Sequence, residues 1–291
     1  MRLFRMLSLV LFAIYLALFP GVTIVVALDR VPAWGGWMGG ALLIGQGAIV
    51  LGWLLGNYGR RGALAALLVF LLAWGVEHVG VTTGFPFGRY SYTEILQPQF
   101  FGVVPLAIAC AWLMVAIGAW QIATANVQAF KRSNVQTLVA VATLVLLLDL
   151  QIETVATRIN SYWVWLSSGA YYGVPAANFV AWWLVGLGMA LVVARVLDDP
   201  ARGARDIRRR AAASSRPALE TLLGAHMPAC LYVLSTLMFA VVNLARGYTV
   251  AGLVGVAVLL ALALAAMPHM RAQPIWRARP HIHADEQETG A

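Results

Sequence analysis

Eight stretches of this chain are apolar for long enough to cross a lipid hydrocarbon layer, and no other feature limits its fold as tightly. A core of roughly 30 Å takes about 20 helical residues. Such runs lie near 4–27, 33–56, 62–82, 103–125, 135–153, 174–196, 226–245 and 250–269. Backbone polar groups find no water in lipid, so helices are the economical way across. The expected fold is all-α, a polytopic transmembrane helical bundle of about eight spans. With 61% hydrophobic and 11% charged residues, the chain cannot hide its apolar surface in one soluble core. The first run follows Arg2 and Arg5, is too long for the apolar part of a signal peptide, and has no small-residue cleavage site directly behind it. It reads as a retained span.

Charge supports the same count. Lys and Arg collect in short cytoplasmic loops, and with both termini cytoplasmic, sixteen of the twenty fall inside. Only Arg30, Arg89, Arg158 and Arg246 fall outside; seven spans would break the alternation at one terminus. The net charge of +8 is spread over every inner loop without a nucleic-acid-binding module around it. Anionic membrane lipid is the expected partner, and nucleic acid is not. The reading is a multi-pass protein of the cell membrane: one helical domain over 1–270, a cytoplasmic linker at 197–225 and a polar tail at 271–291. No internal repeat appears, which argues against a transporter built from inverted halves. Cys110 and Cys230 fall near opposite ends of their spans and read as small apolar fillers rather than a disulfide.

Three acids interrupt the apolar runs: Glu77, Asp149 and Glu153. Intramembrane carboxylates mark function more often than not. All three lie within the last turns before two outer loops, 83–102 and 154–173, each about twenty residues and longer than a simple connector needs. Asn178 opens the sixth span at the same depth, and Asn243 closes the seventh. Asp149 and Glu153 are four apart, on one helix face with Cβ atoms about 6 Å apart. Two acids that close cannot both ionise cheaply in a low dielectric, so one keeps its proton; a protonated acid beside an ionised one suits general acid and base work. Pairing with Arg158, or capping of the helix end, is the structural alternative for this pair. For Glu77 the alternative is a hydrogen bond to a loop amide.

His78 points about 100° around the helix from Glu77 and reads as a hydrogen-bonded packing residue or a ligand. Haem between spans has no second ligand, because His226 sits at the other end of the bundle. A retinal Schiff base is excluded within the spans, since the single lysine, Lys131, lies in an inner loop. The aromatic residues Tyr90, Tyr92, Tyr162, Trp163, Trp165, Tyr171 and Tyr172 all belong to the two long loops. They form either an interfacial belt or a surface of ring faces for a cation.

Specific motifs carry a resemblance. Glu77-x-x-Gly80-x-Thr82-x-Gly84 is followed by Pro86-Phe87-Gly88-x-Tyr90-x-Tyr92, then Gly102-Val103-x-Pro105 and Trp112. Further on come Asp149-x-x-x-Glu153, Trp163-x-Trp165, Gly169-x-Tyr171-Tyr172-Gly173-Val174-Pro175 and Asn178-Phe179-x-x-Trp182. Over about 75–185 this resembles the integral-membrane carotenoid 1,2-hydratases of bacteria and archaea, the family of the gamma-carotene 1',2'- and bisanhydrobacterioruberin hydratases. Where that family usually has Asp-x-x-x-Asp-Pro, this chain has Glu153-Thr154 in place of Asp-Pro, which preserves the carboxylate and changes its reach and the helix break. The resemblance implies that water adds across the C1–C2 double bond of an acyclic carotenoid end group, giving a tertiary alcohol through a tertiary cation. It implies Glu77, Asp149 and Glu153 as catalytic acids, without choosing the proton donor. Candidate substrate-binding residues are His78, Thr82, Tyr90, Tyr92, Trp163, Tyr171, Tyr172 and Asn178. No metal or redox cofactor is expected. The expected partners are an acyclic or monocyclic carotenoid and water, with room for association with other enzymes of the pathway.

Two other classes use similar residues. An intramembrane prenyltransferase holds Mg²⁺ with two Asp-rich clusters, but Asp198-Asp199 and Asp149-x-x-x-Glu153 fall on opposite membrane faces in this topology. A carotenoid- or lipid-binding protein, or a proton-coupled transporter, would leave its ligand chemically unchanged.

Overall fold

A computed structural model describes residues 1–125, 134–197 and 219–271. Among them are eight helices long and apolar enough to cross a membrane. They are α1 (Arg2–Ala27), α2 (Trp37–Tyr58), α3 (Arg60–Thr83), α4 (Leu106–Ala125), α5 (Asn134–Thr154), α6 (Ala176–Leu197), α7 (Leu219–Ala245) and α8 (Thr249–Arg271). The polytopic bundle expected from hydropathy is the fold. The charge runs of the linker at 198–218 and the tail at 272–291 lie outside the described residues.

Helix α4 is the hub. Its span is 78% buried, against 17% for α1 and 22% for α8, and it packs on α2, α3, α5, α6 and α7. A helix apolar all round belongs inside a bundle. Helices α1 and α8 instead present Val10, Ile14, Leu18, Leu253, Leu260 and Leu264 outward. Lipid tails are as apolar as leucine, so helices in a membrane associate through close packing at small residues. At Gly47, a β-carbon would lie 2.6 Å from that of Cys110; at Gly118, one would lie 2.8 Å from the carbonyl oxygen of Pro228.

Helix α7 bends at His226, two residues before Pro228. Proline disturbs the hydrogen-bond ladder around it, and here a side chain of the hub repairs it. Gln121 accepts a hydrogen bond from the Ala229 N–H (2.9 Å) and donates to the Ala225 carbonyl (2.7 Å). Gln121, a polar residue within an otherwise apolar span, is thus a structural splice.

At the opposite end of the bundle the two long connections fold together. Helix α3 stops at Gly84, whose left-handed backbone (φ 82°) lets its N–H bond the Gly80 carbonyl at 2.8 Å. The connection from α3 to α4 carries β1 (Tyr90–Tyr92), β2 (Gln99–Phe100) and β3 (Val104–Pro105), and the one from α5 to α6 carries β4 (Trp163–Trp165). Strands β2 and β3 pair antiparallel, and so do β1 and β4, with Tyr90 opposite Trp165 and Tyr92 opposite Trp163. Helix α5 does not end at Glu153, where the sequence suggested a stop; with no proline at 154 it runs on through a π-helical turn, Val155–Ile159. Thr154 donates to the Asn243 side chain, and Asn243 donates to the Gln151 carbonyl at 2.9 Å, fastening α5 to α7. An ion pair of 2.6 Å between Arg246 and Asp29 joins the α7–α8 connection to the α1–α2 connection.

Candidate active site

The period of two along β1 and β4 puts Tyr90, Tyr92, Trp163 and Trp165 on one face of the ribbon. Tyr90 and Trp165 have ring centroids 5.2 Å apart, and Tyr92 and Trp163 6.0 Å. Each strand serves one carboxylate. Tyr90 and Tyr92 donate to Glu77 Oε2 at 2.5 and 2.7 Å. Trp163 and Trp165 donate through their indole N–H groups to Glu153 Oε2 at 3.3 and 2.9 Å.

Helices supply the remaining donors. Trp112 of α4 donates to Glu77 Oε1 at 2.9 Å, and its ring stacks on Trp182 of α6 at 3.8 Å. Asn178, in the first turn of α6, spends its amide on both members of the acid pair. Its Nδ2 donates to Asp149 Oδ2 and to Glu153 Oε1, each at 3.0 Å. Asp149 Oδ1 has no partner. All three acids are buried, the most accessible being Glu77 at 4%. A buried carboxylate is costly unless hydrogen-bonded, and the ribbon, α4 and α6 provide those bonds.

The tyrosine donors are kept as donors by their surroundings. Burial, and then the charge of Glu77, push the Tyr90 and Tyr92 hydroxyls above the usual phenol range. Both therefore stay protonated at any physiological pH.

A mostly apolar cavity of about 130 Å³ lies beneath the ribbon. Glu77, Glu153 and Asn178 line it together with the four ribbon rings and the Trp112–Trp182 stack; Asp149 is not part of its wall. This arrangement sets two carboxyl groups and several aromatic faces around a hydrophobic space, which suits proton transfer to and from an apolar molecule.

The candidate residues from sequence divide into two groups. Glu77, Glu153, Tyr90, Tyr92, Trp163 and Asn178 come together on the cavity, with Asp149 behind them. His78, Thr82, Tyr171 and Tyr172 are not in its lining. His78 packs against Trp74 with centroids 5.2 Å apart, and Thr82 donates back to the His78 carbonyl at 2.7 Å. Tyr171 donates to the Leu150 carbonyl at 2.6 Å, and the Tyr172 hydroxyl accepts from the Val250 N–H at 3.1 Å. Arg158 donates to the Tyr172 carbonyl at 2.7 Å and so braces this loop. Trp112, Trp165 and Trp182 line the cavity although sequence reasoning did not select them as site residues; for Trp165 the available signal was its place two residues from Trp163, since an indole N–H can only donate, while Trp112 and Trp182 stood only in the motifs that carry the resemblance. Among the described residues no group of three His, Cys, Asp or Glu side chains is arranged to hold a metal ion.

Comparison with known proteins gives a consistent result. The family model described as carotenoid biosynthesis protein matches residues 38–262. Bisanhydrobacterioruberin hydratase from Haloarcula japonica is 30% identical over 127 residues, covering 44% of this chain and 43% of that relative. The match thus spans less than half of the curated relative's length. No solved structure matches the chain significantly.

Proposed function

This chain belongs to the carotenoid biosynthesis protein family, and on that premise we propose that it is a carotenoid hydratase that adds water across the C1–C2 double bond of an acyclic end group. The observation that carries the reading is the pair of buried carboxyl groups, Glu77 and Glu153, each held by three donors on the wall of one apolar cavity. The similar hydratase supports it from outside the structure.

In the proposed reaction a proton moves from a carboxylic acid to C2, the C1–C2 π electrons form the new C–H bond, and a tertiary cation is left at C1. Water attacks C1 and loses a proton to a carboxylate, giving the tertiary alcohol. One water is consumed and no proton is consumed overall; the base returns its proton to the acid before the next turnover. We assign the acid to Glu153 and the base to Glu77. Asp149 and Glu153 share one amide and would repel each other if both were ionised, so the pair retains a proton, and Glu153 is its member on the cavity wall. Glu77 has three donors to itself and needs no proton to be stable there. The faces of Tyr90, Trp165 and their neighbours stabilise the cation, by about 2 kcal/mol for a ring at a desolvated site.

An extended carotenoid is comparable in length to the roughly 30 Å hydrocarbon core, so its polyene lies among the helices while its end group meets the ribbon. From the excess of Lys and Arg in the other loops we place the ribbon at the outer face of the cell membrane, with both termini cytoplasmic. The test is direct. Purified protein given an acyclic carotenoid in lipid should yield a product heavier by one water. An unchanged carotenoid would mean a binding or transport protein, and a requirement for Mg²⁺ and a prenyl diphosphate would mean a prenyltransferase.

A further inference from the structure

Helix α1 is held in two different ways along its length. One stripe of it, Ser8, Phe12, Tyr15, Phe19, Val22 and Val26, repeats at steps of three and four and so faces the bundle. In the half far from the ribbon that stripe is buried. Ser8 donates to the Ile49 carbonyl at 3.1 Å and Arg5 to the Gly56 carbonyl at 2.8 Å, and a β-carbon at Gly52 or Gly56 would collide with those same two side chains. At the end of this half, Gln46 of α2 donates to the Tyr15 hydroxyl at 2.9 Å and to Ser235 Oγ of α7 at 3.2 Å, which ties the three helices together. Beyond that knot Phe19, Val22 and Val26 are only half-buried. They line the cavity, together with Met238, Phe239 and Val242 of α7.

The change of surroundings coincides with a weak point in the helix. Pro20 has no N–H to give the Leu16 carbonyl. Next to it, a β-carbon at Gly21 would meet nothing within 4 Å, and Thr23 bonds back to the Phe19 carbonyl at 2.8 Å, a contact that favours bending. Past the end of the helix the segment is fastened by the ion pair of Asp29 with Arg246, in which Asp29 is exposed. Exposed pairs of this kind add little to stability, so the fastening releases readily.

Size supplies the reason for such a construction. A dry cavity of about 150 Å³ takes one benzene molecule, so the 130 Å³ here holds an end group and little more. The rest of a chain roughly 30 Å long has to leave through the wall. Straight on, the way is closed by the knot and by buried Phe12, Met227 and Leu231. We propose that the ribbon-side half of α1, Pro20–Ala27, is a hinged panel that swings out into the lipid and admits the isoprenoid sideways, its polyene then lying in the seam between this panel and α7. Pro20 and Gly21 are the hinge, and Asp29 with Arg246 is the latch. The inference rests on the reading that the cavity takes an isoprenoid end group, and it is independent of whether hydration then occurs.

The experiment locks the latch. Asp29→Cys with Arg246→Cys, in lipid nanodiscs, is joined by a short thiol-reactive cross-linker that a reductant cleaves; wild type given the same reagent controls for Cys110 and Cys230. Binding of an acyclic carotenoid is followed by polyene absorption, and that of a one-unit analogue of its end group by tryptophan emission. Linking should weaken carotenoid binding about tenfold or more, because the open state is removed, and reductant should restore it. The one-unit analogue, which fits inside the closed cavity, should bind equally well before and after. Unchanged carotenoid binding by the linked protein overturns the proposal. If the linked protein binds neither ligand, Pro20→Ala is read in its place: slower loading of carotenoid supports the hinge, and a wild-type rate overturns it. Wild type that binds neither ligand would refute the isoprenoid reading and this inference with it. Binding without any mass gain of water would refute the hydratase reading alone and leave the panel standing.

Discussion

Glu77 and Glu153 are held by almost the same device, yet their surroundings differ in one respect. Each receives two hydrogen bonds from one strand of the ribbon and a third from a neighbouring helix. Glu77 has its helix donor, Trp112, to itself. Glu153 shares Asn178 with Asp149, one turn back on the same helix. Equal numbers of donors thus serve one carboxyl group in the first case and support a pair in the second. An isolated carboxylate with every oxygen hydrogen-bonded can remain an anion, and a crowded pair is stabilised by keeping a proton. On the proposed assignment this contrast is what gives the two acids different chemical characters without different residue types.

The contrast can be broken by substitution. Glu153→Gln should have the largest effect, lowering hydration by about 10³-fold, within the range for loss of a general acid. Glu77→Gln should cost about 10²-fold, because water retains weaker bases to turn to. Normal hydration by Glu153→Gln together with complete loss in Glu77→Gln would reverse the assignment, and normal rates in both would sink acid–base catalysis at this site.

Smaller effects sharpen the same comparison. A β-carbon at Gly80 would lie 2.8 Å from the Tyr90 hydroxyl and 2.7 Å from the Phe87 ring. Gly80→Ala should therefore push Tyr90 off Glu77 and slow hydration about tenfold or more, with the helical circular dichroism unchanged; a wild-type rate would show that the Tyr90 contact is dispensable. Asp149→Asn should cost about tenfold and turn a two-step alkaline limb of the pH–rate profile into a single step, since a general acid loses its proton as pH rises and coupled groups titrate as a pair. A profile identical to the wild type would mean that Asp149 does not share the proton. Tyr92→Phe removes one of three donors from Glu77 and should slow hydration only a few-fold, because Tyr90 and Trp112 still hold the carboxyl group. A loss as large as that of Glu77→Gln would give Tyr92 a role in proton transfer itself.

Much of this was legible from sequence because the signals were local. A span needs only a long apolar run, and the acids stood out against that background. The spacing of Asp149 and Glu153 placed them on one helix face without further information. The tyrosines of β1 were also marked by their nearness to Glu77. Other residues misdirected the reading for an equally physical reason. His78 and Thr82 are close to Glu77 in sequence but turn away from it around α3, and Tyr171 and Tyr172 spend their hydroxyls on fastening a loop. Trp112 and Trp182 stood in the motifs that carry the resemblance, but nothing local showed that one donates to Glu77 and the other stacks on it. The extension of α5 to Ile159 was hidden because a π-helical turn leaves no simple periodic mark.

The sequence by itself determined the eight apolar spans, the acids within them and the aromatic character of the two long loops, because each depends on composition and spacing along one segment. Only the tertiary structure decided that β1 and β4 pair, that one strand serves Glu77 and the other Glu153, and that Gln46 meets Tyr15 and Ser235 across three helices. Those contacts join residues between 10 and 189 positions apart. Hydrogen-bond partners at such separations are fixed by how helices and loops pack, and no local pattern in the chain encodes the choice.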